Sequence, residues 1–361
     1  MDARAFVPLA ACLTLAALAT PGVAKPARDS VAVARPRSWI DAAGHANGSV
    51  PANGTTLHYV DYGGSGPALV FLAGLGNSAH VFDEFAPRFT DAYHVLAFTR
   101  RGYGESGRPR DGYDTGTLAQ DVLALLDSLA VPRAVLAGHS VAGDELTEFA
   151  ARYPERTAAL VYLDAAHDRS HTTRRLLGMA VLGQVPPAPP RPSGRDRASA
   201  EAARDYLQRI YGVRWPATEI AATRTFDARG RWTRDATPAS TNGRIMRGEC
   251  APRWSEVRAP ALALYAVDRS EARDFAWIET IFVGRGAARL RAHRFRAAQN
   301  RWEAGQRAAF ARSVPAARVV ELHDASHYLF LSHGERVERE MREFLAGLGL
   351  ATTWTPAAAH Q

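Results

Sequence analysis

The sequence predicts an α/β protein: a mostly parallel, doubly wound sheet with a helical segment inserted late in the chain. Three observations predict it. Continuous apolar runs such as Ala68-Leu-Val-Phe-Leu72 read as strands buried on both faces, the mark of a parallel sheet. They alternate with stretches of helical spacing, as in Thr115 to Leu129, where Leu118, Val122, Leu125, Leu126 and Leu129 share one face. Residues 167–259 then break the alternation with a proline- and arginine-rich composition.

A chain of 361 residues, 47% of them apolar, can bury a full core with an accessory piece. The net charge of +7 is carried almost wholly by arginine, since Lys25 is the only lysine. The arginines are scattered among acids and no aromatic-studded basic face emerges, so nucleic acid is not expected as a partner. Residues 1–24 carry Arg4, an uncharged stretch from Ala5 to Ala19, and small residues up to Ala24. That is the pattern of a signal peptide, and it predicts export to the periplasm or beyond. Its apolar run is too short to span a bilayer, so no stable membrane insertion is expected. Cleavage after Ala24 would remove Cys12 and leave Cys250 alone, which excludes an internal disulfide and argues against a cysteine-ligated metal.

Residues 25–54 read as a polar linker or arm. Thr55 to Tyr62 alternates and is β-branched or aromatic, as an antiparallel edge strand would be. After the buried strand Ala68–Leu72 comes Ala73-Gly74-Leu75-Gly76, where glycines let a backbone N–H turn toward a ligand. The strand His94 to Phe98 leads into Arg101-Gly102-Tyr103-Gly104-Glu105-Ser106-Gly107, formally a dinucleotide fingerprint. The match is a decoy, because that fingerprint must open a helix and Arg108-Pro109-Arg110 starts none.

Ala134 to Ala137 forms the next strand and runs into Gly138-His139-Ser140-Val141-Ala142-Gly143. A strand that turns at once into a helix strains the residue at the apex, and small residues two before and two after it avoid collision. Ser140 occupies that apex and is the expected nucleophile. The Val141 N–H at the following helix N-terminus would favour an oxyanion, with Leu75 as second donor. His167 and His171 have the i, i+4 spacing of a metal pair but no third ligand, so no metal and no cofactor are expected.

In that order and at those separations, the glycine loop, the Arg-Gly-Tyr-Gly-Glu-Ser stretch and the Gly-His-Ser-Val-Ala-Gly turn resemble the alpha/beta-hydrolase superfamily. The resemblance covers about residues 55 to 165 and 260 to 346. Ala73-Gly74 stands where many members have His-Gly, a change that spares a backbone donor. The resemblance implies core segments at 55–166 and 260–348, a cap at 167–259 and a tail at 349–361. It also implies a serine, acid, histidine order along the chain. Ser140, Asp268 and His327 satisfy it, each just beyond a strand end. Asp164 competes as the acid, because some relatives draw the carboxylate from the earlier strand. His323 lies too close to its strand to reach Ser140. The implied activity is hydrolysis of a small carboxylic ester, with lactone or amide hydrolysis, or small-molecule binding without turnover, as alternatives on the same fold.

Overall fold

The apolar runs become strands whose alternate residues face opposite layers. Leu69 and Phe71 of Ala68–Leu72 enter one buried cluster, while Ala68, Val70 and Leu72 enter another. The computed structural model describes residues 37–40, 43–181, 184–275, 277–278 and 286–350. The expected leader and residues 351–361 lie outside the described residues.

The strands in chain order are β1 (Arg37–Ile40), β2 (Ala46–Ala52), β3 (Thr55–Gly63), β4 (Ala68–Leu72), β5 (His94–Phe98), β6 (Ala134–His139) and β7 (Thr157–Leu163). They are followed by a small separate hairpin, β8 (Arg224–Phe226) with β9 (Trp232–Asp235), and by β10 (Ala261–Val267) and β11 (Arg318–His323). Among the described residues the main sheet has nine strands, ordered β1-β2-β3-β5-β4-β6-β7-β10-β11. The pairings from β5 to β11 are parallel, and those among β1, β2, β3 and β5 are antiparallel. The stretch read as a linker therefore contributes two strands, and β3 is interior. Composition hid them: Ala46-Asn-Gly-Ser-Val-Pro-Ala52 carries almost none of the β-branched signal that marks a strand.

Helix α1 (Thr115–Ser128) starts where Asp114 accepts the Thr117 N–H at 2.9 Å. It packs its apolar stripe with α2 (Ala142–Arg152) on one sheet face, in the cluster that holds Val122, Leu125, Leu146 and Phe149. The opposite face carries the helix Gly334–Ala346 through Val337, Met341 and Leu345, together with Phe82, Phe85 and Phe330. No helix opens after Gly102, whose φ of 87° belongs to a turn, so no dinucleotide site forms there.

Between β7 and β10 the chain folds as helices Thr172–Val181, Ala200–Tyr211, Ala217–Thr223 and Ala239–Gly248 with the β8–β9 hairpin. This layer is pinned to the core loops by buried and part-buried polar contacts. Glu219 accepts hydrogen bonds from Asn77 Nδ2 at 2.8 Å and Ser78 Oγ at 2.5 Å, and the Tyr103 hydroxyl donates to Asn242 at 2.5 Å. Tyr206, Trp215 and Trp232 are buried, in the same apolar cluster as Phe71.

Candidate active site

Sheet register decides which side chains meet. His139, the last residue of β6, pairs with Leu163, the last of β7, so Ser140 and Asp164 follow equivalent ends of adjacent strands. Both bend sharply, with φ of 55° and 50°. Such values are costly for non-glycine residues and persist only where the surroundings enforce them. At Ser140 the enforcement is steric: a Cβ on Gly138 would strike Leu146 and stand 3.1 Å from the Ala142 Cβ, so β6 can pass into α2 only with small residues there.

From the loop after β11, His327 brings Nδ1 to 2.6 Å from Asp164 Oδ2. A carboxylate on Nδ1 fixes the tautomer with the proton there and leaves Nε2 as the basic nitrogen. Ser140, Asp164 and His327 line one small cavity of about 40 Å³.

Asp268, the acid expected first, is elsewhere. β10 pairs with β7 through Leu264 opposite Leu163 and then runs three residues further, to Val267 opposite His323. The overrun carries Asp268 past the site: its Oδ2 lies 2.9 Å from His323 Nδ1, and the two side chains are 72% and 66% exposed. The competing acid, Asp164, is the one that meets His327.

Two features of the site escaped the sequence reading. Arg269, beside the misplaced acid, turns inward and donates from Nη1 to Asp164 Oδ2 at 3.2 Å and from Nη2 to Glu303 at 2.6 Å. Arg296 reaches Asp274 and Glu303, each at 2.7 Å, closing a buried ring of alternating charge. Burial alone would raise the Asp164 carboxyl, but Arg269 and then His327 outweigh it and hold the group far below the usual carboxylate range. Arg100 is the second feature. Its guanidinium donates to the carbonyls of Ala73 at 2.8 Å and Gly74 at 3.3 Å and pairs with Glu145 at 2.5 Å, all buried. Because the peptide is planar and trans, tying the Gly74 carbonyl to Arg100 aims the Leu75 N–H the opposite way. The same logic holds at Val141, where the preceding Ser140 carbonyl accepts from Gly143 N at 3.0 Å. The only sequence hint of these roles was an arginine before a glycine turn and another after an aspartate.

The remaining histidines nearby are spoken for. Burial and then repulsion from His327 push His139 well below its ordinary value, and its Nε2 donates to the His327 carbonyl at 3.0 Å. Burial and then Arg169 push His167 down to about 3, and its ring stacks on Trp302 at 5.5 Å. His171 is exposed and precedes the helix that begins at Thr172, so no helix spans the i, i+4 pair. Among the described residues, the side chains that do gather metal-ligand atoms within 4.8 Å are His45, His80 and Asp83. None of them lines the cavity of Ser140.

Leu75 lines a second, larger cavity of about 450 Å³ that extends under the helical insertion to Trp215 and Trp232.

Comparison with known proteins agrees with this architecture. A family model described as the alpha/beta hydrolase fold matches residues 67–185. The chain is 34% identical to 2-(acetamidomethylene)succinate hydrolase of Mesorhizobium japonicum over 101 residues, 28% of this chain and 36% of that protein. It is 32% identical to 3-oxoadipate enol-lactonase 2 of Acinetobacter baylyi over 123 residues, 34% of this chain and 46% of that one. The match thus spans under half the length of each of these curated relatives. The crystal structure of E-2-(acetamidomethylene)succinate hydrolase superposes with a TM-score of 0.62 at 20% identity, covering 86% of this chain and 100% of that chain, a likeness of fold. With the parallel sheet, the sharp turn at Ser140 and these matches together, the chain has the alpha/beta-hydrolase fold.

Proposed function

We propose that this protein is an exported serine hydrolase that cleaves a small carboxylic ester, with Ser140 as nucleophile, His327 as general base and Asp164 as the acid that orients it. The observation that carries the reading is the 2.6 Å contact between His327 and Asp164 in the cavity that Ser140 also lines. In the proposed reaction His327 Nε2 takes the Ser140 proton as Oγ attacks the acyl carbon. The N–H groups of Val141 and Leu75 receive the negative charge on the carbonyl oxygen. The alcohol leaves with the proton from His327, and water, deprotonated by the same nitrogen, releases the acid. A serine at this turn disfavours chemistry that needs a carboxylate nucleophile there. Hydrolysis of a lactone or amide is a second reading, favoured by relatives named as an enol-lactonase and as a hydrolase of an acetamido compound. Export rests on the pattern of residues 1–24 and is tested by the N-terminus of the mature protein.

The test is Ser140→Ala against a panel of short esters, lactones and amides. Turnover should fall on the order of 10⁴-fold or more, with fluorophosphonate labelling of the wild type mapped to Ser140 by mass spectrometry. Turnover retained in the variant refutes the assignment, and ligand binding without any turnover by the wild type would make the protein a binding module.

A further inference from the structure

The larger cavity has a charge pattern that the ester reading leaves unexplained. Its lining includes the turn of Leu75 and Gly76, next to the proposed reaction centre, and the aromatic side chains of Tyr206, Tyr211 and Trp215. The lining is also cationic. Arg191, Arg197, Arg224 and Arg234 all belong to it, and among the described residues the one carboxylate in the lining is Asp235. Two of these guanidiniums crowd a single ring: Arg197 lies 4.7 Å and Arg224 5.3 Å from the centre of Trp232. The ring's π face helps hold each cation, yet it cannot neutralise two like charges placed against it. Arg224 Nε reaches Asp235 at 3.3 Å, whose side chain is half exposed, and Arg197 Nη1 donates to the Thr233 carbonyl at 3.2 Å, which brings no opposing charge. A volume of about 450 Å³ accepts a ring or short chain with a terminal group, as ligand pockets of this size do.

We infer that this cavity binds the larger part of the substrate, and that this part is amphipathic: an apolar ring or chain ending in a carboxylate held by Arg197 and Arg224. The inference deepens the hydrolase reading and rests on it for the reaction, although the binding itself does not require turnover. The apolar portion lies along Tyr206, Tyr211 and Trp215, the scissile bond falls near Leu75, and the anion completes the cluster at Trp232.

The test compares 4-phenylbutanoate with its uncharged amide, 4-phenylbutanamide, by calorimetry on the full chain. The anion should bind about tenfold more tightly or better, with a preference that shrinks as salt is raised. Arg197→Gln and Arg224→Gln should each weaken the anion about five- to tenfold and leave the amide within about twofold, while Arg197→Lys and Arg224→Lys keep most of the preference. Equal affinities in the wild type, binding of neither probe up to millimolar concentration, or an anion preference that survives both glutamine changes would overturn the inference. Turnover of 4-acetoxybenzoate against 4-acetoxybenzamide then joins the cavity to the reaction. If the anion preference is found but Ser140→Ala still hydrolyses esters, the catalytic reading fails and the cavity assignment stands.

Discussion

Arg269 Nη1 and His327 Nδ1 share one oxygen, Asp164 Oδ2, at 3.2 and 2.6 Å. A permanent cation thus competes with the imidazole for the carboxylate that orients it. Opposite charge beside Asp164 keeps it ionised.

Arg269 is a positioning residue for Asp164. Arg269→Gln should lower kcat about tenfold with a smaller change in KM, because Asp164 loses a charged donor that holds it for His327, and Arg269→Lys should restore most of the rate. Kinetics unchanged in the glutamine variant, despite a native circular dichroism spectrum, count against that role.

Asp164 and Asp268 can be told apart by paired substitutions. Asp164→Asn should lower kcat about 10⁴-fold, since an amide presents its donors to the wrong tautomer of His327. Asp268→Asn, in an exposed pair with His323, should stay within about twofold of wild type. Steady-state kinetics on both variants decides the point, and a crippled Asp268→Asn would reverse it.

Gly74 has no room for a side chain. A Cβ there would lie 2.7 Å from His139 Nδ1 and 3.2 Å from the Ser140 Cβ, with His139 fully buried behind it. Gly74→Ala should displace the Leu75 amide and cut kcat about 10²-fold or more with a smaller change in KM. Unchanged kinetics would remove Leu75 from the oxyanion site.

Glu219 ties the insertion to the loop after β4. Burial raises its carboxyl from the ordinary 4.5 to about 7, against the hydrogen bonds from Ser78 and Asn77. A folded-state value above the unfolded one means that the folded chain holds the proton more tightly. Its stabilising contribution is therefore full below about pH 4.5 and is lost as pH rises toward 7. Relative to Glu219→Gln, the wild type should lose about 3 kcal/mol of stability across that window. Urea unfolding of both proteins at a series of pH values measures the difference, and parallel curves would show that Glu219 titrates normally.

By itself the sequence determined what depends on neighbours along the chain. The buried strands announced themselves as apolar runs because both of their faces are covered, and Ser140 was legible because the turn from β6 to α2 admits only small residues around it. His327 followed from its place beyond the last strand. The two amphipathic helices α1 and α2 were marked by their apolar stripes, whereas β1 and β2 were invisible because their partners, more than their own residues, make them strands. Which acid meets His327 was decided by the tertiary structure alone. Asp164 and Asp268 both follow apolar strands and look alike in sequence, but β10 overruns β7 by three residues, and that register places one acid beside Ser140 and the other in solvent. Arg269, Arg100 and the arginines around Trp232 belong to the same class. Their partners are distant in the chain, so only packing tells a structural or binding cation from one that is simply solvated.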